Sequence, residues 1–403
     1  MLEASRVISV LVVDDSVVIR RLITDALGED PEIRVVGTAP NGRVAMTKIE
    51  QLRPDLVTLD IEMPVMNGLE TLRAIRALYP RLPVIMFSTL TAAGATATLD
   101  ALAAGASDYV TKPANVGSIA ESIRSVREQI IPRIHALSAR RGLTALRRPL
   151  APPVGPPPLK TAPPPAANRP VSGPAGSLAP PASLAPTAPP AAARPARTLH
   201  SGRIDVITIG CSTGGPDALA RVVKALPVNL AVPVLVVQHM PPVFTKMFAD
   251  RLDRTAAVAV VEAGNDMPVK SGTVYIAPGD FHMEIQRRGT EVIIKLNAGP
   301  PENFCRPAVD PLFRSVAKTY GGATLAVVLT GMGQDGKRGA ETLRAAGAEV
   351  VVQDEASSVV WGMPGAIAGA GLANAVLPLD DIAHHVVTRM ANGRGVRSME
   401  VTR

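Results

Sequence analysis

The stretch VITIGCSTGGPDAL, residues 206–219, passes from an apolar run through a cluster of small residues into a segment with helical spacing. Such a pattern predicts a buried strand, a tight turn and a helix. Ser212 falls on the turn. Three interpretations of Ser212 are open on this stretch alone: a residue of a phosphate-binding glycine loop, a nucleophile raised at the end of a strand, or a residue of an ordinary turn.

Residues 204–403 repeat the strand and helix pattern of this stretch. Apolar runs that predict buried strands are IDVITIG, AVPVLVVQH, ATLAVVLTG and AEVVVQDE. Between them, TVYIAPGDFHMEIQRRGTEVIIKLN alternates polar and apolar residues around turn residues, which indicates antiparallel strands and a mixed sheet. We therefore predict a doubly wound, mainly parallel α/β domain over residues 204–403.

Residues 1–137 alternate five apolar runs with five amphipathic segments, beginning with VISVLVVDD and SVVIRRLITDALGED. Strands that are apolar throughout are typical of a parallel sheet covered by helices on both faces. We predict an α/β domain with a flavodoxin-like, doubly wound, parallel five-stranded sheet. In such a sheet the binding site forms at the carboxyl ends of the strands.

Residues 138–203 have a different composition. They hold 17 of the chain's 38 prolines, nine lysines and arginines, and no aromatic or acidic residue. Such a segment cannot bury enough apolar surface to offset its ordering entropy, which predicts a disordered Pro/Ala-rich linker. Its positive charge exceeds the net charge of the whole chain, +7. Because neither predicted domain is basic, we expect no nucleic-acid partner.

Cysteine content and hydropathy indicate the cellular compartment in which the protein is expected. Two cysteines, Cys211 and Cys305, do not make a disulfide framework or a zinc motif. The N-terminal apolar run is short and ends at two aspartates, unlike a signal peptide or a membrane span. We expect a cytoplasmic protein without membrane insertion.

Polar residues follow the strands of the first domain at the edge where a ligand site is expected. Three carboxylates at one sheet edge repel each other unless a cation joins them, and oxygen ligands suit magnesium. Any single aspartate could instead cap a helix. Agreement at four strand ends favours a site, which comprises Asp14 and Asp15, Asp60, Ser88 with Thr89, and Lys112.

The motifs VLVVDDS, TLDIEMPVMNGLETL, STLT and DYVTKP resemble the receiver domain of two-component response regulators over nearly all of residues 1–137. The resemblance implies that Asp60 accepts a phosphoryl group from a histidine kinase. It implies a Mg²⁺ ion held by Asp14, Asp15, Asp60 and the backbone carbonyl of Glu62. It also implies switch roles for Ser88, Tyr109 and Lys112. Phosphorylation adds about two negative charges at this edge.

Residues at other strand ends of the second domain help to decide the role of Ser212. Residues 210–215 read GCSTGG, which lacks the second glycine of a dinucleotide fingerprint, but fits the GxSxG pattern of a raised nucleophile. His239 closes the strand AVPVLVVQH, and Asp335 follows the strand in VVLTGMGQDG. A serine, a histidine and an aspartate at three strand ends make a catalytic triad reasonable. Their chain order differs from that of α/β-hydrolases.

The motifs IGCSTGG, VVQHM, IAPGDFHM, RPAVDPLFRS, LTGMGQDG and VVQDEASSVVWGMPG resemble the catalytic domain of the CheB chemotaxis methylesterases. The resemblance implies hydrolysis of glutamyl methyl esters on chemoreceptor cytoplasmic helices, and in many members deamidation of receptor glutamines. It implies the histidine kinase CheA as phosphoryl donor and no cofactor in the catalytic domain. The implied nucleophile is Ser212, the base His239 and the orienting carboxylate Asp335. Amides near Thr213 and Met332 are the expected oxyanion donors.

Two residues depart from the family pattern. Cys211 stands where alanine is expected, and we expect a small apolar role for it rather than a thiol nucleophile. Cys305 stands where a histidine is expected before Arg306 and Pro307. We further expect the unphosphorylated receiver to pack over Ser212. The alternative is a response regulator whose second domain only binds a protein partner and needs neither His239 nor Asp335 near Ser212.

Overall fold

The computed structural model describes residues 7–113, 118–146 and 202–395. Its first part is an alternating α/β domain. The elements are β1 (Ile8–Val13), α1 (Val17–Gly28), β2 (Ile33–Ala39), α2 (Gly42–Leu52), β3 (Leu56–Asp60), α3 (Gly68–Leu78), β4 (Val84–Ser88), α4 (Ala92–Ala103), β5 (Asp108–Thr111) and α5 (Ile119–Leu146).

The five strands form one parallel sheet in the order β2-β1-β3-β4-β5, as predicted. Alternate residues of β1 enter different buried clusters: Leu11 and Val13 lie in one, and Val10 and Val12 in the other. Since successive strand residues point to opposite faces, both faces of the sheet are covered. Because all five strands are parallel, their carboxyl ends lie at one edge of the sheet, where Asp14 and Asp60 are found.

The second α/β domain has nine strands and six helices in the described part of the chain. They are β6 (Val206–Cys211), α6 (Gly215–Lys224), β7 (Val234–Gln238), α7 (Phe244–Asp253), β8 (Ala259–Glu262), β9 (Thr273–Ile276), β10 (His282–Arg288), β11 (Glu291–Asn297), α8 (Val309–Tyr320), β12 (Thr324–Val328), α9 (Lys337–Ala345), β13 (Glu349–Gln353), α10 (Met363–Gly369), β14 (Ala375–Leu377) and α11 (Leu379–Gly395).

The main sheet of this domain has seven strands in the order β14-β13-β12-β6-β7-β9-β8, and every pair in it is parallel. The prediction of a mixed sheet was wrong. The antiparallel pair β10–β11 forms a separate two-stranded sheet, and β9 instead joins the main sheet between β7 and β8. Strand β6 lies at the centre between β7 and β12. The ends of these three strands carry the predicted catalytic residues.

Helix α5 continues to Leu146, past residue 138, where we predicted the linker to begin. Most of the predicted linker lies outside the described residues, so the domain boundaries stay a prediction. Among the described helices, none has the length and apolar content needed to cross a membrane.

The two domains contact each other directly. Helix α4 of the first domain packs against α6 and α7 of the second. Buried residues of both domains, among them Leu99 and Phe248, belong to one continuous apolar cluster. The contact lies beside the turn that carries Ser212.

Candidate active site

Ser212 lies between the last residue of β6 and the start of α6, on a turn that requires glycine. Gly214 has a φ of +74°, and a Cβ on Gly215 would lie 2.1 Å from the Gln238 side chain. The backbone of Ser212 is held from both sides: its N–H donates to the Thr330 carbonyl at 3.0 Å, and its carbonyl accepts from the Gln238 amide at 3.1 Å. The turn therefore places the serine at the carboxyl edge of the sheet.

His239 follows β7, the strand beside β6. Its backbone N–H donates to the Cys211 carbonyl at 3.2 Å, so His239 and Ser212 lie side by side at the same edge. The imidazole Nε2 lies 2.8 Å from Oδ2 of Asp335. The predicted pairing of histidine and aspartate is therefore present in the structure.

Asp335 is the centre of a buried hydrogen-bond network. Its carboxylate accepts from the backbone amides of Val309 and Asp310 at 2.6 and 3.1 Å, at the start of α8, and from the Asn303 side chain at 2.9 Å. Burial raises the pKa of Asp335, but His239 and these amides outweigh burial and lower it. Asp335 is therefore ionised at neutral pH, and His239 Nε2 must carry the proton between them.

The hydroxyl of Ser212 makes no hydrogen bond to any residue in the described ranges. The other imidazole nitrogen of His239, Nδ1, contacts the thiol of Cys305 at 3.4 Å instead. The structure thus brings His239 and Asp335 of the predicted triad together. Ser212 lies on the adjacent strand end, and the Cys305 thiol contacts Nδ1, the nitrogen that the serine hydroxyl would need to reach.

The His239 imidazole carries opposing influences on its pKa. Burial lowers the pKa, whereas Cys305 and Asp335, through charge and hydrogen bonds, raise it, and the net result is a pKa raised to about 10. The pKa rises because Asp335 at Nε2 and Cys305 at Nδ1 both favour the charged form of the ring. Both neighbours thus favour the protonated ring, and Nδ1 must be free of a proton before His239 can act as a base.

The amides of Thr213 and Met332 flank Ser212. Neither amide donates a hydrogen bond to another described residue. Gly331, which precedes Met332, allows a close approach: a Cβ there would lie 2.9 Å from the Ser212 Cβ. Two backbone donors without a partner among the described residues therefore lie near Ser212, and their role as oxyanion donors stays a prediction.

Two further residues of this domain have structural roles. His282 bonds the Ala308 amide at 3.2 Å and the Pro300 carbonyl at 3.0 Å, and so fixes the loop before α8. Cys211 is fully buried, and burial raises the pKa of its thiol. A thiol without ready access to its thiolate form is a poor nucleophile, in agreement with the expected apolar role.

The first domain carries the expected acidic cluster. Ligand atoms of Asp14, Asp15 and Asp60 lie within 4.8 Å of one another. Lys112 Nζ lies 2.8 Å from Asp60 Oδ1 and 3.0 Å from Asp14 Oδ2. Burial, reinforced by Asp14 and opposed by Lys112, raises the pKa of Asp60 to about 6. Its Oδ2 atom is buried without a hydrogen-bond partner. This edge therefore has a deficit of positive charge.

Two predicted switch residues contact groups other than Asp60 in this structure. The Ser88 hydroxyl donates to the Gly94 carbonyl at 3.1 Å. The buried ring of Tyr109 stacks on Phe244, the first residue of α7, with 5.0 Å between centroids and 4° between planes. Tyr109 is therefore a contact between the two domains in this structure.

Asp108 makes a second contact between the domains, beside Ser212. Its Oδ2 accepts from the Thr213 hydroxyl at 2.6 Å and from Arg133 of α5 at 3.1 Å. Val360 of the second domain packs into the apolar cluster of α1 and α5, together with Met332. Both segments that flank Ser212, those of Thr213 and Met332, thus contact the first domain. The sequence patterns gave no indication of roles for Asp108 and Asn303, nor of the contact between Cys305 and His239.

Comparison with known proteins identifies the family of each domain. Residues 207–386 match the CheB methylesterase family, and residues 10–124 match the response regulator receiver domain. A Nocardioides protein-glutamate methylesterase/protein-glutamine glutaminase is 52% identical over 96% of both chains. A Trichodesmium erythraeum protein of the same description is 46% identical over 94% of this chain and 98% of its own.

A solved structure, the CheB methylesterase catalytic domain of Thermotoga maritima, is 42% identical, covers 46% of this chain and 98% of its own, and has a TM-score of 0.45. The whole-length identity to the Nocardioides protein carries the assignment, together with the two domain matches in their order. The chain therefore belongs to the CheB methylesterase family, with a response regulator receiver domain preceding its methylesterase domain.

Proposed function

We propose that this chain hydrolyses glutamyl methyl esters on chemoreceptor cytoplasmic helices, and that phosphorylation of Asp60 activates it. The observation that carries the proposal is the His239–Asp335 pair at the strand end adjacent to Ser212. A second domain that only binds a partner has no need of this buried pair. The names of the relatives, which are methylesterases and glutaminases, support the same chemistry.

The proposed reaction follows from the placement of the protons. Asp335 holds a proton on Nε2 of His239, so Nδ1 is the nitrogen that takes the proton from the Ser212 hydroxyl. For this step the hydroxyl must replace the Cys305 thiol at Nδ1. The serine oxygen then adds to the ester carbonyl. The resulting oxyanion faces the Thr213 and Met332 amides, and each such donor contributes about 3 kcal/mol in other hydrolases.

His239 completes the cycle in three further proton transfers. It returns the proton to the methoxy oxygen, which leaves as methanol, and a glutamyl ester of Ser212 remains. Water loses a proton to His239 as it attacks this ester. The C–O bond to serine then breaks, and the hydroxyl regains its proton. Attack on a glutamine side chain would release ammonia in the first half of the same cycle, which accounts for glutaminase activity.

The receiver site fits a Mg²⁺ ion held by Asp14, Asp15 and Asp60, with Glu62 contributing its backbone carbonyl. The clustered oxygens and the unpaired Oδ2 of Asp60 support this assignment. A divalent cation at this position supplies charge neutralisation for the incoming phosphoryl group. Asp60 provides the attacking carboxylate oxygen, and Lys112 already lies within ion-pair distance of it. The histidine kinase CheA is the proposed donor.

Strand β5 connects the two sites. Its first two residues, Asp108 and Tyr109, contact Thr213 and Phe244, and Lys112 directly after it contacts Asp60. A phosphoryl group on Asp60 redirects Lys112 and changes the end of β5. We propose that the Asp108–Thr213 and Tyr109–Phe244 contacts then weaken, and that the receptor helix gains access to Ser212.

An Asp60→Asn variant is expected to keep the basal rate of methanol release and to lose its stimulation by a phosphoryl donor. The amide is similar in shape but cannot accept a phosphoryl group. Couplings between sites typically change an equilibrium about 5- to 150-fold, so we expect roughly tenfold stimulation of the unaltered chain. The measurement is methanol release from methylated chemoreceptor membranes with Mg²⁺ and acetyl phosphate. Asp25→Asn, at a partly exposed position of α1 that pairs with Arg21, serves as control. Equal stimulation of the Asp60 variant would contradict the proposal.

A Cys305→Ala variant is expected to shift the acid limb of the pH profile of kcat/KM to lower pH. Cys305 favours the protonated His239 ring, so its removal lowers the pKa of the base, and more of the base is neutral at a given pH. Loss of one such neighbour corresponds to a shift of about one pH unit or more. Cys211→Ala, which removes a thiol without a contact to His239, should leave the limb in place. An unchanged limb in the Cys305 variant is the contrary result.

A further inference from the structure

Three apolar side chains are exposed on the loops that follow β7, β9 and β11. Their relative exposures are 39% for Val243, 42% for Phe281 and 102% for Phe304. We call these three residues the apolar rim. Burial of a phenylalanine side chain stabilises a fold, and Phe304 forgoes this contribution entirely. Exposed apolar side chains that form one contiguous patch indicate a binding role, whereas a single exposed side chain does not.

The loops of the apolar rim are joined to each other. The Asp280 amide donates to the Arg306 carbonyl at 3.2 Å, which links the loops of Phe281 and Phe304. The Gly279 amide donates to the Thr245 hydroxyl at 3.0 Å, which links the loops of Phe281 and Val243. The three side chains therefore belong to one surface.

The backbone of this surface is strained. Val243, Asp280, Asn303 and Phe304 have φ values of 71°, 65°, 51° and 63°. Positive φ is unfavourable for residues other than glycine and is an outlier for β-branched valine. Such strain persists where neighbouring contacts fix it, and it concentrates at functional sites. Here the strained backbone of Asn303 and Phe304 accompanies a Phe304 side chain that is exposed to solvent.

The residues on both sides of Phe304 contact the catalytic pair. Asn303 donates to Oδ1 of Asp335 at 2.9 Å, and the Cys305 thiol lies 3.4 Å from Nδ1 of His239. Glu302 and Cys305 close the loop with two backbone hydrogen bonds of 3.1 and 2.9 Å. Phe304 is thereby fixed at the margin of the site while its own ring faces solvent.

We infer that the apolar rim binds apolar side chains of the substrate protein that flank the esterified glutamate on its helix. The inference rests on the proposed function. A glutamyl ester in a protein cannot reach Ser212 without bringing the surrounding helix surface onto adjacent loops. The rim is continuous with the site and apolar, so its partner is the apolar stripe of that helix. Phe304 is a specificity-determining residue in this arrangement.

The test is steady-state methanol release from methylated chemoreceptor membranes by the full, phosphorylated chain. Phe304→Ala is expected to raise KM about tenfold, as loss of an aromatic contact in an interface does, and to leave kcat within about twofold. Phe304→Leu, which keeps an apolar side chain, should restore most of the affinity. Val228→Ala, a substitution at another exposed apolar residue, should change neither parameter.

The outcomes separate the two proposals. If the unaltered chain releases no methanol, the proposed function fails. If it releases methanol and Phe304→Ala has an unchanged KM, the proposed function stands and the inference fails. The inference also fails if sedimentation shows that the unaltered chain is a dimer and Phe304→Ala a monomer, because the rim would then bind a second copy.

Discussion

A Ser212→Ala variant is expected to release methanol from methylated chemoreceptors about 10⁴-fold more slowly than the unaltered chain, or slower still. Without the hydroxyl no glutamyl ester of the enzyme can form, and only binding and the oxyanion donors remain to favour attack by water. The turn itself should be preserved, because the Ser212 backbone, and not its side chain, makes the contacts to Thr330 and Gln238.

The matched control for this variant is Ser271→Ala, which removes a hydroxyl from an exposed turn of the same domain. It should retain full activity. Melting temperatures of both variants should stay close to that of the unaltered chain. A Ser212→Ala variant with substantial remaining activity would show that another group attacks the ester.

An Asp335→Asn variant is expected to lower kcat by about 10⁴-fold. The carboxylate holds a proton on Nε2 of His239 and leaves Nδ1 free to accept one. An amide nitrogen at that position donates to Nε2, which forces the proton onto Nδ1 and removes the base. The ring is then in the wrong tautomer at every pH, so raising the pH should not restore activity.

Asp310→Asn is the matched control for Asp335→Asn. Asp310 is buried in the same network and bonds the Gly339 amide at 2.7 Å and the Asn303 side chain at 3.0 Å, but it does not contact His239. We expect a comparable effect of both substitutions on melting temperature and a large loss of kcat only for Asp335. A similar loss of kcat in both variants would indicate a structural role for Asp335 rather than an orienting one.

Much of the fold could be predicted because its determinants are local in sequence. Apolar strands such as VITIGC and VLVVQ, followed by glycine-rich turns, indicate a parallel sheet and place Ser212 and His239 at one edge. The strand β9 was misplaced because its alternating pattern is shared with the hairpin that follows it. Its parallel pairing depends on β7, which is distant in sequence.

The site was predicted in part. The His239–Asp335 pair follows from strand ends, which the sequence shows. The Cys305 thiol at His239 does not, because the loop that carries it is shaped by positive φ values and by contacts to Asp335 and Asp280. The contact of Asp108 with Thr213 likewise depends on the packing of two domains, which no local pattern encodes. The predicted contact of Ser212 with His239 remains a prediction.

The central claim is that Ser212 is an activated nucleophile to which the receiver limits access. Its most direct test is labelling of the full chain by a fluorophosphonate ester, with the modified residue located by mass spectrometry and the labelling rate measured with and without acetyl phosphate and Mg²⁺. We predict a single adduct on Ser212 that forms about fivefold faster or more after phosphorylation. An adduct on another residue, no adduct, or a rate that phosphorylation leaves unchanged would contradict the claim.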